Sequence, residues 1–246
     1  IILFLVCSYY LLHAKKGKKF YIRPIAGIVH IDEALGRATE MGKPIMYVLG
    51  IGPLNDIPTL ASVTILERVA RKSAEYQNRL IVPCFDPLVM LVAQETVRSS
   101  YLDAGRPDSY NEKDIFFVSD SQFSYAAAVS GMMMREKTAT NFFLGWFAAE
   151  SLILSETGAA TGAIQIAGTD AISQLPFFIT SCDYTLIGEE LYAASAYMSQ
   201  DPQQLASLKI QDFLKAIYMA MIFVGTIAAS TGMLWFVNFF NVNMEK

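Results

Sequence analysis

Five aspartates are the side chains of this sequence best placed to do chemistry. Asp56 follows the β-rich run 45–49, and Asp86 sits in Pro83-Cys84-Phe85-Asp86-Pro87. Asp120 sits in Val118-Ser119-Asp120-Ser121, Asp170 follows Ile166-Ala167-Gly168-Thr169, and Asp183 follows Ser181-Cys182. Read as strand ends of a parallel sheet, these positions fall where such sheets take ligands, outside the strand carboxyl ends. Carboxylates there suit a cation, a ribose hydroxyl or the arginine of a partner. Helix capping competes with that chemistry. Asp56, Asp86 and Asp120 each precede an expected helix, where Asp accepts backbone N–H bonds as an N-cap. Asp86-Pro87 also reads as a cap followed by proline at the first helical position. Capping accounts less well for Asp170 and Asp183.

Two glycine-rich stretches extend the same edge. Gly50-Ile51-Gly52-Pro53-Leu54-Asn55 links a strand to a helix and would let a phosphate approach a helix N-terminus. It is neither Gly-x-Gly-x-x-Gly nor a P-loop, so a plain β–α turn explains it better. Residues 155–162 together with Gly168-Thr169-Asp170 form a second small, polar region. The ligand-binding candidates are therefore Gly50, Gly52, Asp56, Asp86, Asp120, Gly168, Thr169, Asp170 and Asp183. Glu150 lies in an apolar stretch with Glu156, and a buried carboxylate there needs a partner, for which Arg135 and Lys137 are at hand. Acid–base catalysis by Glu150, Asp170 or Asp183 requires that they converge in one pocket.

No motif calls for a cofactor or metal, and no catalytic residue is assigned. Cys7, Cys84 and Cys182 are widely spaced without Cys-x-x-Cys, so they read as small buried hydrophobes. His13 and His30 belong to no ligand cluster. Met132-Met133-Met134 reads as core or interface filler rather than a metal site.

The elements that must position these residues alternate. Helices are expected over 31–41, 58–77, 87–102, 121–134, 148–156 and 184–198. Strands are expected over 45–49, 80–84, 115–118, 141–147, 163–167 and 175–180. Alternation of this kind indicates an α/β fold with a doubly wound, mostly parallel sheet, Rossmann-like in character. Asp201-Pro202 breaks the last helix and starts another that runs on toward the C-terminus.

Two apolar segments bracket that region. The sequence is 53% hydrophobic, with a mean hydropathy of +0.35, more apolar than an ordinary soluble domain. Spanning a bilayer core takes about 20 residues. Residues 211–240 suffice, with no charge from Ala216 to Phe240. Residues 1–14 are short, and the absence of an initial Met suggests that a longer helix begins upstream. Residues 15–22 hold Lys15, Lys16, Lys18 and Lys19, which place the 23–210 domain on the cytoplasmic side of a two-pass plasma-membrane protein. Residues 241–246 form a tail. In the second segment, Gly225/Ala229 and Ala228/Gly232 are small-xxx-small pairs that let another helix approach closely. Thr226, Ser230 and Thr231 offer hydrogen bonds across such a contact.

Residues 23–210 carry 13 Lys and Arg against 21 Asp and Glu, a formal charge of −8. That balance excludes nucleic acid, which needs clustered basic residues.

Arg23-Pro-Ile-Ala-Gly27, Gly36-Arg-Ala-Thr-Glu-Met-Gly-Lys-Pro44, Asp86-Pro-Leu-Val-Met90, Ala163-Ile-Gln-Ile-Ala-Gly-Thr-Asp170 and the run from Tyr184 to Tyr197 resemble a prokaryotic membrane-protein family classed as a domain of unknown function. The resemblance covers nearly the whole middle of the chain. It implies a membrane-anchored domain and brings no catalytic residues. The expectation is a non-catalytic subunit or scaffold of a membrane assembly, with the lipid bilayer and copies of itself or other subunits as partners. The alternative is a membrane-bound sensor of a nucleotide or other small polar ligand at the strand carboxyl ends.

Overall fold

The computed structural model describes residues 26–199 and 202–231. The chain divides into two units, Arg23–Gln200 and a second formed by Ile1–Ile22 with Asp201–Lys246. In the first unit the order is α1 (Ala26–Met41), β1 (Ile45–Gly50), α2 (Ile57–Tyr76), β2 (Leu80–Cys84), α3 (Pro87–Asp103), two short 3₁₀ turns, and β3 (Ile115–Phe117). There follow α4 (Gln122–Glu136), β4 (Thr140–Trp146), α5 (Glu150–Thr161), β5 (Ile164–Thr169), α6 (Leu175–Ser181), β6 (Tyr184–Ile187) and α7 (Glu189–Ser199). In the second unit α8 spans Pro202–Ser230.

The six strands form one sheet in the order β3-β2-β1-β4-β5-β6. Every pairing is parallel. The sheet is buried on both faces, so its strands read as continuous apolar runs. Side chains alternate across β1. Ile45, Tyr47 and Leu49 enter a core with α1, α2, α3 and α7. Met46 and Val48 enter the other, with α4, α5 and α6. Phe142 and Phe143 divide in the same way on β4. The order reverses between β1 and β4, and a Rossmann-type sheet has its topological switch point there.

Two elements differ from the sequence expectation. Residues 175–181 are helix α6, not a strand, with Pro176 in its first turn. Residues 184–187 are strand β6, and the helix expected from residue 184 begins at Glu189. The run Leu-Pro-Phe-Phe-Ile-Thr has no period to separate helix from strand, and Tyr-Thr-Leu-Ile is a short β-prone run that Gly188 joins to the next helix.

In α8, Lys209, Asp212 and Lys215 lie in the first half and Ala216 begins an uncharged stretch. It is the one helix among the described residues long and apolar enough to cross a membrane, and only 6% of its apolar window is buried. A soluble protein's core helix passes the same length and composition test, but such a helix is mostly buried. Tyr218, Met219, Ile222 and Phe223 are exposed, Gly225 is half-buried, Ala228 is buried and Ala229 is exposed. Gly232 lies outside the described residues, as do residues 1–22. The hydroxyls of Thr226, Ser230 and Thr231 all donate to carbonyls of α8 itself.

Candidate functional site

The carboxyl edge of the sheet starts from the seam between β1 and β4. The register shifts between Val48 and Gly50, so that Gly50 pairs with Trp146. Gly50 has φ +82° and Gly145 φ +137°. A Cβ on Gly50 would overlap the Trp146 carbonyl, and one on Gly145 would overlap the Leu49 carbonyl. Two backbones approach this closely only without side chains. The Ile51 N–H donates to the Trp146 carbonyl at 2.9 Å. A Cβ on the buried Gly52 would lie 2.6 Å from Thr59 Oγ1 and 2.9 Å from Trp146 Cβ. The turn after β1 is therefore fastened onto β4, and its first amide is committed to protein.

The aspartates separate. Asp86 is an N-cap: its carboxylate accepts from the Leu88 and Val89 amides at 2.7 and 3.0 Å. Asp56 holds the N-cap position of α2 without a side-chain capping bond. Asp120 is exposed, and Ser121 takes the N-cap position of α4. Asp170, just past β5, accepts from the Tyr192 hydroxyl at 2.6 Å. Burial, then the bond to Asp170 and the nearby Asp170 and Asp56 charges, hold that phenol well above its ordinary range. Thr59 Oγ1 and Asp170 Oδ1 are sealed from solvent without a hydrogen-bond partner.

Asp183 lies at the other end of the sheet. It precedes β6 rather than following a strand, and its carboxylate accepts from the Gln165 amide at 2.8 Å, near the start of β5. Asp170 and Asp183 thus sit near opposite ends of a strand that rises about 3.3 Å per residue. Asp183 lies there because residues 175–181 form a helix that returns the chain to the amino edge.

Gly168 and Thr169 are buried strand residues. A Cβ on Gly168 would meet Leu144 Cδ2 at 2.8 Å. Thr169 Oγ1 accepts from the Ala171 amide at 3.2 Å. Residues 155–161 belong to α5 and are not a loop. Gly158 lies where a Cβ would overlap Gln165 Oε1 and approach Asn141 Nδ2 at 3.0 Å, so glycine there serves helix-on-sheet packing.

Glu150 is fully buried at the first position of α5. It accepts from Gln122 Nε2 at 2.6 Å and from the Ala148 amide at 2.9 Å. Its partner is thus an amide from α4, not Arg135 or Lys137. Arg135 lies 3.6 Å from Glu136, and Lys137 occupies the left-handed C-cap of α4 with φ 52°. Sequence reasoning missed Gln122 because neutral donors are not sought as carboxylate partners. Glu150, Asp170 and Asp183 each bond to a different group and do not converge.

Burial, with Asp86 adding to it, pushes the Cys84 thiol up to about 12. Burial, with Asp183 adding, does the same for Cys182. Neither is a thiolate near neutrality. Among the described residues no three or more His, Cys, Asp or Glu side chains gather as a metal site. At the amino edge, a cavity of about 170 Å³ is lined by Tyr101, Tyr110, Arg79 and Asp114 among others.

The fold defines an α/β protein with a Rossmann-like parallel sheet. The chain belongs to a family defined by a domain of unknown function, DUF6754, whose model matches residues 1–240. No curated protein matches it, and no solved structure does.

Proposed function

We propose that this chain is a membrane-anchored, non-catalytic subunit or scaffold of a membrane protein assembly in a prokaryotic plasma membrane. The observation that carries the reading is α8, whose uncharged half exposes Tyr218, Met219, Met221, Ile222, Phe223, Val224 and Ile227, spread around the whole helix. A helix apolar all round belongs in a core or a bilayer. Residues 1–14 supply a second crossing in this reading. Lys15, Lys16, Lys18, Lys19, Lys209 and Lys215 flank the two apolar segments on the side of the α/β unit, which favours the cytoplasm. The small residues Gly225, Ala228, Ala229 and Gly232 suit contact with a neighbouring helix. Asp86, Glu150, Asp170 and Asp183, each held by a neutral donor or in a cap, support a structural unit over a catalytic one.

Carbonate extraction and native mass measurement in mild detergent test this together. The protein is expected to stay with the membrane and to run as an oligomer or with other subunits. Release by carbonate, or a lone monomer, defeats the proposal.

A sensor of a small polar ligand is the second reading, favoured by the strand reversal between β1 and β4. The closed turn at Gly50 and Gly52 weighs against it. A thermal shift with nucleotides, divalent cations or metabolites would revive it.

A further inference from the structure

We infer that the carboxyl edge of the sheet docks a protein surface that presents basic and apolar side chains together. This deepens the subunit reading and rests on it. Each strand end, or the helix start after it, leaves a large apolar side chain in solvent. In sheet order they are Phe123, Leu88, Ile57, Trp146, Ile172 and Ile187. Ile172 is 82% exposed and Leu88 62%.

Among the described residues, the connections of this edge carry charge of one sign. The connections 51–56, 85–86, 118–121, 147–149, 170–174 and 188 contain no Lys or Arg. They contain Asp56, Asp86, Asp120 and Asp170, and Glu189 and Glu190 open α7. No basic residue occurs from Thr138 to Leu208. The amino edge differs. Its connections bring Lys43, Arg79, Arg106, Lys113 and Lys137, and its exposed Met41, Tyr76, Leu102 and Met134 lie on helix ends laced by ion pairs such as Arg71–Asp103 and Lys72–Glu75.

Helix N-termini favour acids, but that does not account for the apolar side chains between them. An anionic lipid surface would be repelled by this edge. A second copy docked by two-fold symmetry would set the same acids against each other. The occupant that complements both features is a different protein with Lys or Arg around an apolar centre, the composition that gives oriented, specific interfaces.

The test places a photo-crosslinking amino acid at position 172 of the full-length chain in its native cells, with position 41 as the amino-edge control. The expected result is a crosslink from 172, and not from 41, to a different polypeptide at a segment carrying Lys or Arg beside apolar residues. Ile172→Glu and Leu88→Glu should each lower that partner's recovery about tenfold, a typical interface loss, while Met41→Glu leaves it unchanged. Crosslinks from 172 only to lipid or to another copy, equal yields at 41 and 172, or unchanged recovery in both variants overturn the inference. An assembly that survives native mass measurement without any crosslink from 172 removes the docking face and leaves the subunit reading standing. A lone monomer removes both.

Discussion

At the amino end of the sheet, Arg79 lies between Asp114, at 2.6 Å, and Glu136, at 3.0 Å. Asn111 donates to the other Asp114 oxygen. These contacts tie the start of β2 to the turn before β3 and to the end of α4. At the carboxyl end no Lys or Arg enters the connections, and different means hold the loops. Gly50 and Gly145 bring two backbones into contact, Gln122 holds Glu150, and Tyr192 holds Asp170. The amino end carries both signs of charge and sets Arg79 between two acids. The carboxyl end holds Glu150 and Asp170 with neutral donors, and Asp120 is exposed there. An arginine holds the buried acid at one end, and an amide side chain holds it at the other.

The carboxyl end is most sensitive at the glycine seam. Gly50→Ala would need a positive φ and would overlap the Trp146 carbonyl, so a loss of about 3 kcal/mol or more is expected. Thermal unfolding in detergent should show it, and a wild-type midpoint would mean that the seam does not hold the edge. Glu150→Ala leaves the Gln122 and Ala148 donors without their buried acceptor. About 2–3 kcal/mol should be lost, and Glu150→Gln, which keeps one acceptor oxygen, should lose less. Equal losses would show that packing, not the hydrogen bonds, matters there.

Alkaline pH is a third lever. In the unfolded chain Cys84 and Cys182 titrate near 9.0, whereas the folded thiols are held up to about 12. Between those values the folded state binds more protons, so stability falls as pH rises from 9 toward 12. Each thiol contributes a slope of about 1.4 kcal/mol per pH unit. Denaturant titrations across that window should flatten by about that amount in Cys84→Ala. An unchanged slope would mean that the thiol titrates normally.

Asp114→Asn at the amino end should cost only about 1 kcal/mol, because the Arg79 side chain is half exposed and screened. A loss as large as that of Glu150→Ala would erase the contrast between the two ends. Ile172→Glu is expected to change stability by less than about 0.5 kcal/mol. A larger effect on the isolated chain would show that Ile172 supports the fold rather than faces a partner.

Much of the fold is legible from periodicity alone. The strands beginning at Ile45, Leu80 and Ile115, and the helices after Asp56 and Asp86, lie within a residue or two of their expected bounds. The exchange of helix and strand between residues 175 and 187 is the main exception. It moved Asp183 to the opposite end of the sheet. Glycines proved less readable than aspartates. Gly158 and Gly168 resemble loop glycines in sequence but serve close packing, a role set by neighbours distant along the chain.

The sequence by itself determined the alternation of strands and helices, the uncharged stretch beginning at Ala216, the acidic balance and the capping role of Asp86. These depend on local periodicity, composition and contacts a few residues apart. Only the tertiary structure decided the strand order, the closure of the Gly50 turn by Trp146, the Gln122–Glu150 and Tyr192–Asp170 contacts and the segregation of charge between the two ends of the sheet. Each of these joins residues from different elements, and side-chain spacing along the chain carries no record of which strand lies beside which.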